Sequence, residues 1–247
     1  MLKKQTILVL FFGALLWSQN SNAQQETIDK IGADLSLNHD AFFGFNPMMS
    51  LSYQFSDTDA FTVYGIQWGA GTASAWGQWT EFGLGYNKTV GNFDINPSLG
   101  FTMGSLLSSG AAQEGIIGDG IVPNLTMNYG SDHLEGELYF GYYAALRNNT
   151  AAGQSTNNYV HYWVNLGYKF SDFFSMGGHF EELYLSGGEI DGGQDLERAD
   201  GYLWLGPYLQ FQKGNVGLRF SFGGNLADED ARFAMNDFYK LSFFITL

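Results

Sequence analysis

The sequence predicts an all-β protein, an antiparallel transmembrane β-barrel of about twelve strands preceded by a cleaved signal peptide. Three observations carry this reading. Apolar and polar residues alternate in segments of roughly ten residues, with one face almost free of polar groups. The connections between segments alternate between short and long. The N-terminus has the three parts of an export leader in order.

The leader comes first. Lys3 and Lys4 precede an apolar run from Ile7 to Trp17, and Ser21-Asn22-Ala23 supplies a small-x-small cleavage site. That run is too short to span a bilayer as a helix, which takes roughly 20 residues. Residues 1–23 therefore read as a signal peptide and residues 24–247 as one barrel domain, exported across the inner membrane of a bacterium. No composition break marks a second domain.

Composition narrows the class further. The 247 residues carry 25 acidic against 11 basic side chains, a net charge of −14, which speaks against nucleic acid as a partner. No cysteine is present, which excludes a disulfide framework, a thiolate metal site, a cysteine nucleophile and a lipid-modified cysteine.

The segments fall at 29–38, 47–56, 60–70, 77–88, 92–104, 120–129, 132–144, 157–170, 173–187, 200–213, 215–224 and 237–247. In the eighth, Val160, Tyr162, Val164, Leu166, Tyr168 and Phe170 share one face, opposite Tyr159, His161, Trp163, Asn165, Gly167 and Lys169. The last behaves alike, with Tyr239, Leu241, Phe243, Ile245 and Leu247 opposite Phe238, Lys240, Ser242, Phe244 and Thr246. Alternation alone also fits a soluble sandwich. The connections decide. Short ones centre on 56–60, 87–91, 130–131, 171–172 and 213–214, and long ones run 39–46, 71–76, 105–119, 145–156, 188–199 and 225–236. Tight turns at one end and long loops at the other are the habit of membrane barrels. Because lipid cannot satisfy backbone N–H and C=O groups, the first and last strands must pair.

Aromatic residues gather near strand ends on the apolar face. Tyr53, Phe55, Tyr86, Phe93, Tyr129, Tyr168, Phe170 and Phe174 lie at the turn end, with Trp68 and Tyr142 nearer the loops, as interfacial girdles do. Pro97, Pro123 and Pro207 fall within strands on that face and predict bulges or breaks in the ladder. Glu181-Glu182 interrupts the alternation and predicts a bulge there. The phase of the third segment, Phe61 to Ala70, is ambiguous.

With these residues in place, the chain resembles the small Gram-negative outer-membrane β-barrel proteins over its whole mature length. Phe243, Ile245 and Leu247 look like that family's C-terminal assembly signal, though the family usually ends in Phe where this chain has Leu247. The strand count is similar to that of the twelve-stranded, porin-like members. The resemblance implies a bacterial outer-membrane location, periplasmic termini, lipid around the barrel and the barrel-assembly machinery as a partner. It transfers no specific activity.

The inward face carries Lys30, Asp34, Glu81, Asp94, His133, Glu135, Glu137, His161, Lys169, His179, Glu181, Arg219 and Lys240. A plausible register sets Glu135, Asn165 and His179 at one level and Glu137, Trp163 and Glu181 at the next. Glu135, Glu137, His161, Trp163, His179, Glu181, Arg219 and Lys240 are therefore the lumen and constriction candidates. No H-x-H or H-E-x-x-H spacing indicates a metal site, and no cofactor is expected. No histidine has a serine two positions away, and Glu181 with His179 is the nearest approach to a protease-like pair, so the chain does not read as an enzyme. Later strands present Tyr139, Tyr143, Tyr159, Trp163, Tyr202, Trp204, Tyr208, Phe238 and Phe244 inward, either as a stacking track or as filling.

Two loops are acidic, with Glu189, Asp191, Asp195, Glu197 and Asp200 in one and Asp228, Glu229, Asp230 and Asp237 in or beside the other. Calcium could bridge them, but the spacing lacks the D-x-[DN]-x-[DN]-G pattern, and an anion-repelling rim is the simpler account. The sequence thus predicts a passive channel for small neutral or cationic solutes. The alternatives are a non-channel barrel whose acidic loops bind ions, sugars or a protein, and, behind it, an outer-membrane hydrolase.

Overall fold

Among the described residues, strand alternation builds one closed sheet. The computed structural model describes residues 30–69, 79–104, 107, 118–146, 155–190, 193–228 and 236–247. The signal-peptide reading of residues 1–23 lies outside them, as do Asp191, Glu229 and Asp230 of the acidic loops. The strands are β1 (Ile31–Asp40), β2 (Gly44–Gln54), β3 (Asp59–Trp68), β4 (Trp79–Val90), β5 (Phe93–Met103), β6 (Gly120–Gly130), β7 (Leu134–Ala145), β8 (Ser155–Lys169), β9 (Phe174–Ile190), β10 (Gln194–Asp195), β11 (Ala199–Lys213), β12 (Val216–Asn225) and β13 (Asp237–Thr246). Twelve of them form the wall. The two-residue β10 is an addition that pairs with Glu189 and Ile190 at the far end of β9.

Each wall strand pairs antiparallel with its sequence neighbour, and β1 closes on β13 from Asp34↔Thr246 to Asp40↔Lys240. Beyond the last paired residue, Leu247 N–H donates to Ala33 O at 2.7 Å. Closure leaves no wall strand with an unpaired edge, the condition for placing a sheet in lipid.

Alternation sets the two faces. Exposed side chains such as Leu51, Val63, Leu84, Leu99, Leu166, Leu205, Phe220 and Leu241 run around the outside as a continuous apolar belt. A belt of that extent suits hydrocarbon rather than water. Rings at the turn end pack against one another, across strands for Phe55–Phe61 and Phe93–Tyr129 with centroids 4.8 Å apart, and along the end of β8 for Tyr168–Phe170 at 5.1 Å. Beside them Tyr86 donates to Asp59, whose carboxylate also takes Lys88 Nζ at 2.9 Å.

Several expectations need correction. The β1–β2 connection spans only residues 41–43, because Asp40 and Gly44 both belong to strands. Trp68 is buried inside the barrel rather than set in an outer girdle: β3 points Thr62, Tyr64, Ile66 and Trp68 inward. No bulge sits at Glu181-Glu182. The ladder stays in register there, and Glu182 faces outward, where Tyr162 donates to it and Arg198 Nη2 lies 2.9 Å away. The register shifts lie nearer the loop end, between Asn158 and Tyr159 and between Asp200 and Tyr202. Pro97, Pro123 and Pro207 cause no shift, but pairing lapses beside each on one side, as a missing N–H requires.

Candidate functional site

Three layers fill the barrel interior. The first, at the loop end, is apolar. The β1–β2 turn folds inward and buries Phe42 and Phe43, which meet Trp68 of β3, Trp79 of β4, Tyr143 of β7, Leu183 of β9, Tyr202 and Trp204 of β11 and Phe238 of β13. Phe42 packs edge-on against Tyr202 at 5.1 Å, while Phe43 lies 4.6 Å from Trp68 and 5.6 Å from His161. Tyr202, Trp204 and Phe238 continue as a stack with spacings of 3.9 and 4.9 Å. Rings from opposite walls thus touch through the turn, and the layer spans the lumen. Asp40 holds the turn in place: its Oδ1 accepts the N–H of Phe42 at 2.8 Å and of Phe43 at 2.6 Å, and its Oδ2 accepts Asn46 Nδ2 at 3.0 Å. Gly44 follows with φ 65°, a left-handed turn that a glycine adopts without strain.

The second layer is ionic and belongs to β7–β13. Glu181, fully buried, has its Oε1 at 2.9 Å from His161 Nε2 and 2.7 Å from Tyr202 OH. Its Oε2 lies 2.7 Å from Lys240 Nζ and 3.2 Å from His179 Nε2. His179 Nδ1 in turn sits 2.7 Å from Asn165 Oδ1. One step toward the turns, Glu137 accepts Trp163 Nε1 at 2.7 Å and Arg219 Nη1 at 2.5 Å. The Trp163 ring stacks on Tyr139 at 4.1 Å and has Lys240 Nζ 4.7 Å from its centroid. Lowest is Glu135, which accepts Tyr208 OH and Ser175 Oγ at 2.7 Å each and Gln210 Nε2 at 3.0 Å. Each of these carboxylates is matched by a cation or by several neutral donors, as buried charge demands.

The third layer is open space. A chamber of about 510 Å³ lies against β2–β6 at the turn end, lined mainly by hydroxyls and primary amides, with Asp34, Asp59, Asp94 and Glu137 as its charged groups. A smaller cavity of about 130 Å³ continues upward between Trp68, Arg219 and Lys240, toward the aromatic layer.

A closed antiparallel barrel with an apolar exterior and a polar, charged interior matches solved barrels of the outer membrane. The chain is similar to an outer membrane channel from Pseudomonas putida F1, at 12% identity over 88% of this chain and 95% of that one, with a TM-score of 0.58. It is also similar to the NanC porin, at 9% identity over 87% of this chain and 100% of that one, with a TM-score of 0.52. At these identities the likeness establishes the fold, that of an outer-membrane β-barrel. Among curated proteins none matches the sequence. A family model described as a family of unknown function (DUF6733) matches residues 1–247. The chain belongs to that family.

The eight lumen candidates all face the interior of this family member, within one connected region. The register differs from expectation on one strand. Asn165 does pair with His179, and Trp163 with Glu181, but β7 sits two residues away from the expected place: Glu137, not Glu135, stands level with Asn165, and Tyr139 with Trp163. His133 departs from the inward set, since it precedes β7 and stacks on Tyr168, an outward ring. Phe243 and Ile245 of the C-terminal signal face outward on β13, paired with Leu37 and Leu35 of β1. Sequence reasoning missed Asp40, Phe42 and Phe43. Two adjacent Phe residues in a connection between an Asp and a Gly were the available signal, because an exposed loop has no use for such a pair.

Proposed function

We propose that the protein is an outer-membrane channel for small neutral or cationic solutes, with its tight turns and both termini in the periplasm. One observation carries this reading: the open chamber is lined by carboxylates and by no lysine or arginine. Although Asp59 and Glu137 are paired with Lys88 and Arg219 behind the lining, Asp34 and Asp94 are in no ion pair among the described residues. Charge of one sign in a low-dielectric cleft concentrates counter-ions and repels co-ions, so anions are disfavoured at the mouth. Deeper in the lumen, Arg219 and Lys240 are each engaged by a glutamate and offer little net positive charge to a passing solute. The aromatic layer makes this conformation the closed one, and the β1–β2 turn is the element that has to move for passage.

That same layer favours a second reading, a barrel closed permanently by its own side chains, with the acidic loops as a binding surface. Conductance of the refolded protein in a planar bilayer separates the two. Steps of current with a cation/anion permeability ratio above one support the channel. A folded, heat-modifiable barrel that stays silent would leave the closed scaffold. Assembly is assigned to the barrel-assembly machinery through Phe243, Ile245 and Leu247. Calcium at the acidic loops remains a proposal of the second reading, tested by calcium titration of the same preparation.

A further inference from the structure

The turn-end chamber differs in kind from the ionic layer beside it. In that layer every carboxylate has partners. In the chamber, Ser52, Gln54, Asn87, Thr126 and Asn128 line the space and make no side-chain hydrogen bond among the described residues. Neutral donors and acceptors are thus presented to whatever occupies it.

Two further amides are held with opposite polarity. Asn96 Oδ1 accepts Thr62 Oγ1 at 3.1 Å and Ser98 Oγ at 3.3 Å, which leaves its Nδ2 as a donor toward the chamber. Asn124 is set the other way: its Nδ2 donates to Tyr64 OH at 2.7 Å and to Val122 O at 3.1 Å, which leaves its Oδ1 as an acceptor. Tyr64 itself lies along the wall. Its ring crosses Gly83 and reaches Gly100, positions where a side chain would collide with it, and the ring forms part of the lining.

We infer that this chamber is a binding site for an uncharged saccharide. A sugar hydroxyl donates and accepts at once, so a run of them satisfies the Asn96 donor and the Asn124 acceptor together. A C–H face of the same sugar suits an aromatic ring held flat against the wall. A cation would answer the carboxylates but leave the Asn96 Nδ2 donor without a partner. An anion would meet Asp34 and Asp94 at the mouth. The volume of about 510 Å³ falls within the range of small-molecule sites, roughly 300–1,000 Å³. The inference deepens the channel reading and rests on it for the route by which the sugar arrives.

The test is calorimetric titration of the refolded full chain in a zwitterionic, sugar-free detergent. The probes are maltotriose, the anionic trigalacturonate and the cation spermidine. Saturable binding of maltotriose is expected, weakened about tenfold by the double substitution Asn96→Leu/Asn128→Leu, because two hydrogen bonds are lost. Where that variant does not refold, Asn128→Ala alone carries the comparison, with a smaller loss expected. Absence of saturable maltotriose binding overturns the site, as does an unchanged affinity in a folded variant. So does tighter binding of either charged probe. Conductance measured on the same preparation keeps the two readings apart. Current without binding removes the saccharide site and leaves the channel; binding without current removes the channel and leaves the site.

Discussion

The Asp40 carboxylate accepts the backbone N–H of Phe43 at 2.6 Å, and through that bond a three-residue turn carries two Phe rings into the lumen. Removing the anchor and removing the rings should therefore act in the same direction. Phe42→Ala/Phe43→Ala takes two rings out of the layer that spans the barrel, and Asp40→Ala frees the N–H groups that hold the turn. Both are expected to raise single-channel open probability or conductance, with the double Phe variant the larger. Each charge-assisted bond of this kind contributes roughly 1.5–3 kcal/mol, so the Asp40→Ala effect should be at least about tenfold in open probability. Wild-type currents from both folded variants would mean that this layer is not the barrier.

How much of this was legible in the sequence depends on what pins each feature. The strands were readable because one face must meet lipid, which enforces period-two alternation along the whole wall. The Asn165–His179 and Trp163–Glu181 levels were readable because β8 and β9 are joined by a tight turn that fixes their register. The β7 level was not. β7 and β8 are joined across a long connection, and a shift of two residues keeps every side chain on its own face, so the pattern cannot detect it. The phase of β3 was hidden for a different reason: Tyr64, Ile66 and Trp68 point inward, and an apolar inward set looks like a lipid face. The inward fold of Phe42 and Phe43 depends on Tyr202 and Trp68 across the lumen, partners far away in sequence.

Glu181, fully buried, forms an ion pair with Lys240 at 2.7 Å. Glu181→Gln leaves the ammonium without its counter-charge and is expected to cost about 3–5 kcal/mol. Replacing both partners in Glu181→Gln/Lys240→Met removes the unpaired charge and should recover much of that loss. Urea unfolding of the barrel refolded into lipid vesicles, followed by tryptophan fluorescence, gives both numbers. A double variant no more stable than Glu181→Gln alone would show that the pair is not the term that matters.

Gly83 gives the Tyr64 ring its place on the wall, since any side chain there would occupy the space of that ring. Gly83→Val is accordingly expected to destabilise the barrel by about 1–3 kcal/mol through overpacking. The same substitution in a Tyr64→Ala background should cost clearly less, because the obstructing ring is gone. Equal costs in the two backgrounds would locate the strain in the strand backbone instead.

Selectivity should follow the carboxylates at the chamber mouth. Asp34 Oδ1 accepts Thr246 Oγ1 at 2.7 Å and Asp94 Oδ1 accepts Thr89 Oγ1 at 2.6 Å, so both are fixed near the turn end. Neutralising them in Asp34→Asn/Asp94→Asn keeps the shape and the hydrogen bonding while removing two negative charges. The cation/anion permeability ratio, read from the reversal potential across a salt gradient, is expected to fall toward one. Reversing them in Asp34→Lys/Asp94→Lys should carry it below one. Because these groups face water, their influence should fade as salt rises, the screening length shrinking from about 10 Å at 0.1 M to about 3 Å at 1 M. A ratio that stays fixed through both substitutions would assign selection to the deeper pairs, Glu137 with Arg219 and Glu181 with Lys240, where burial weakens screening and salt has little effect.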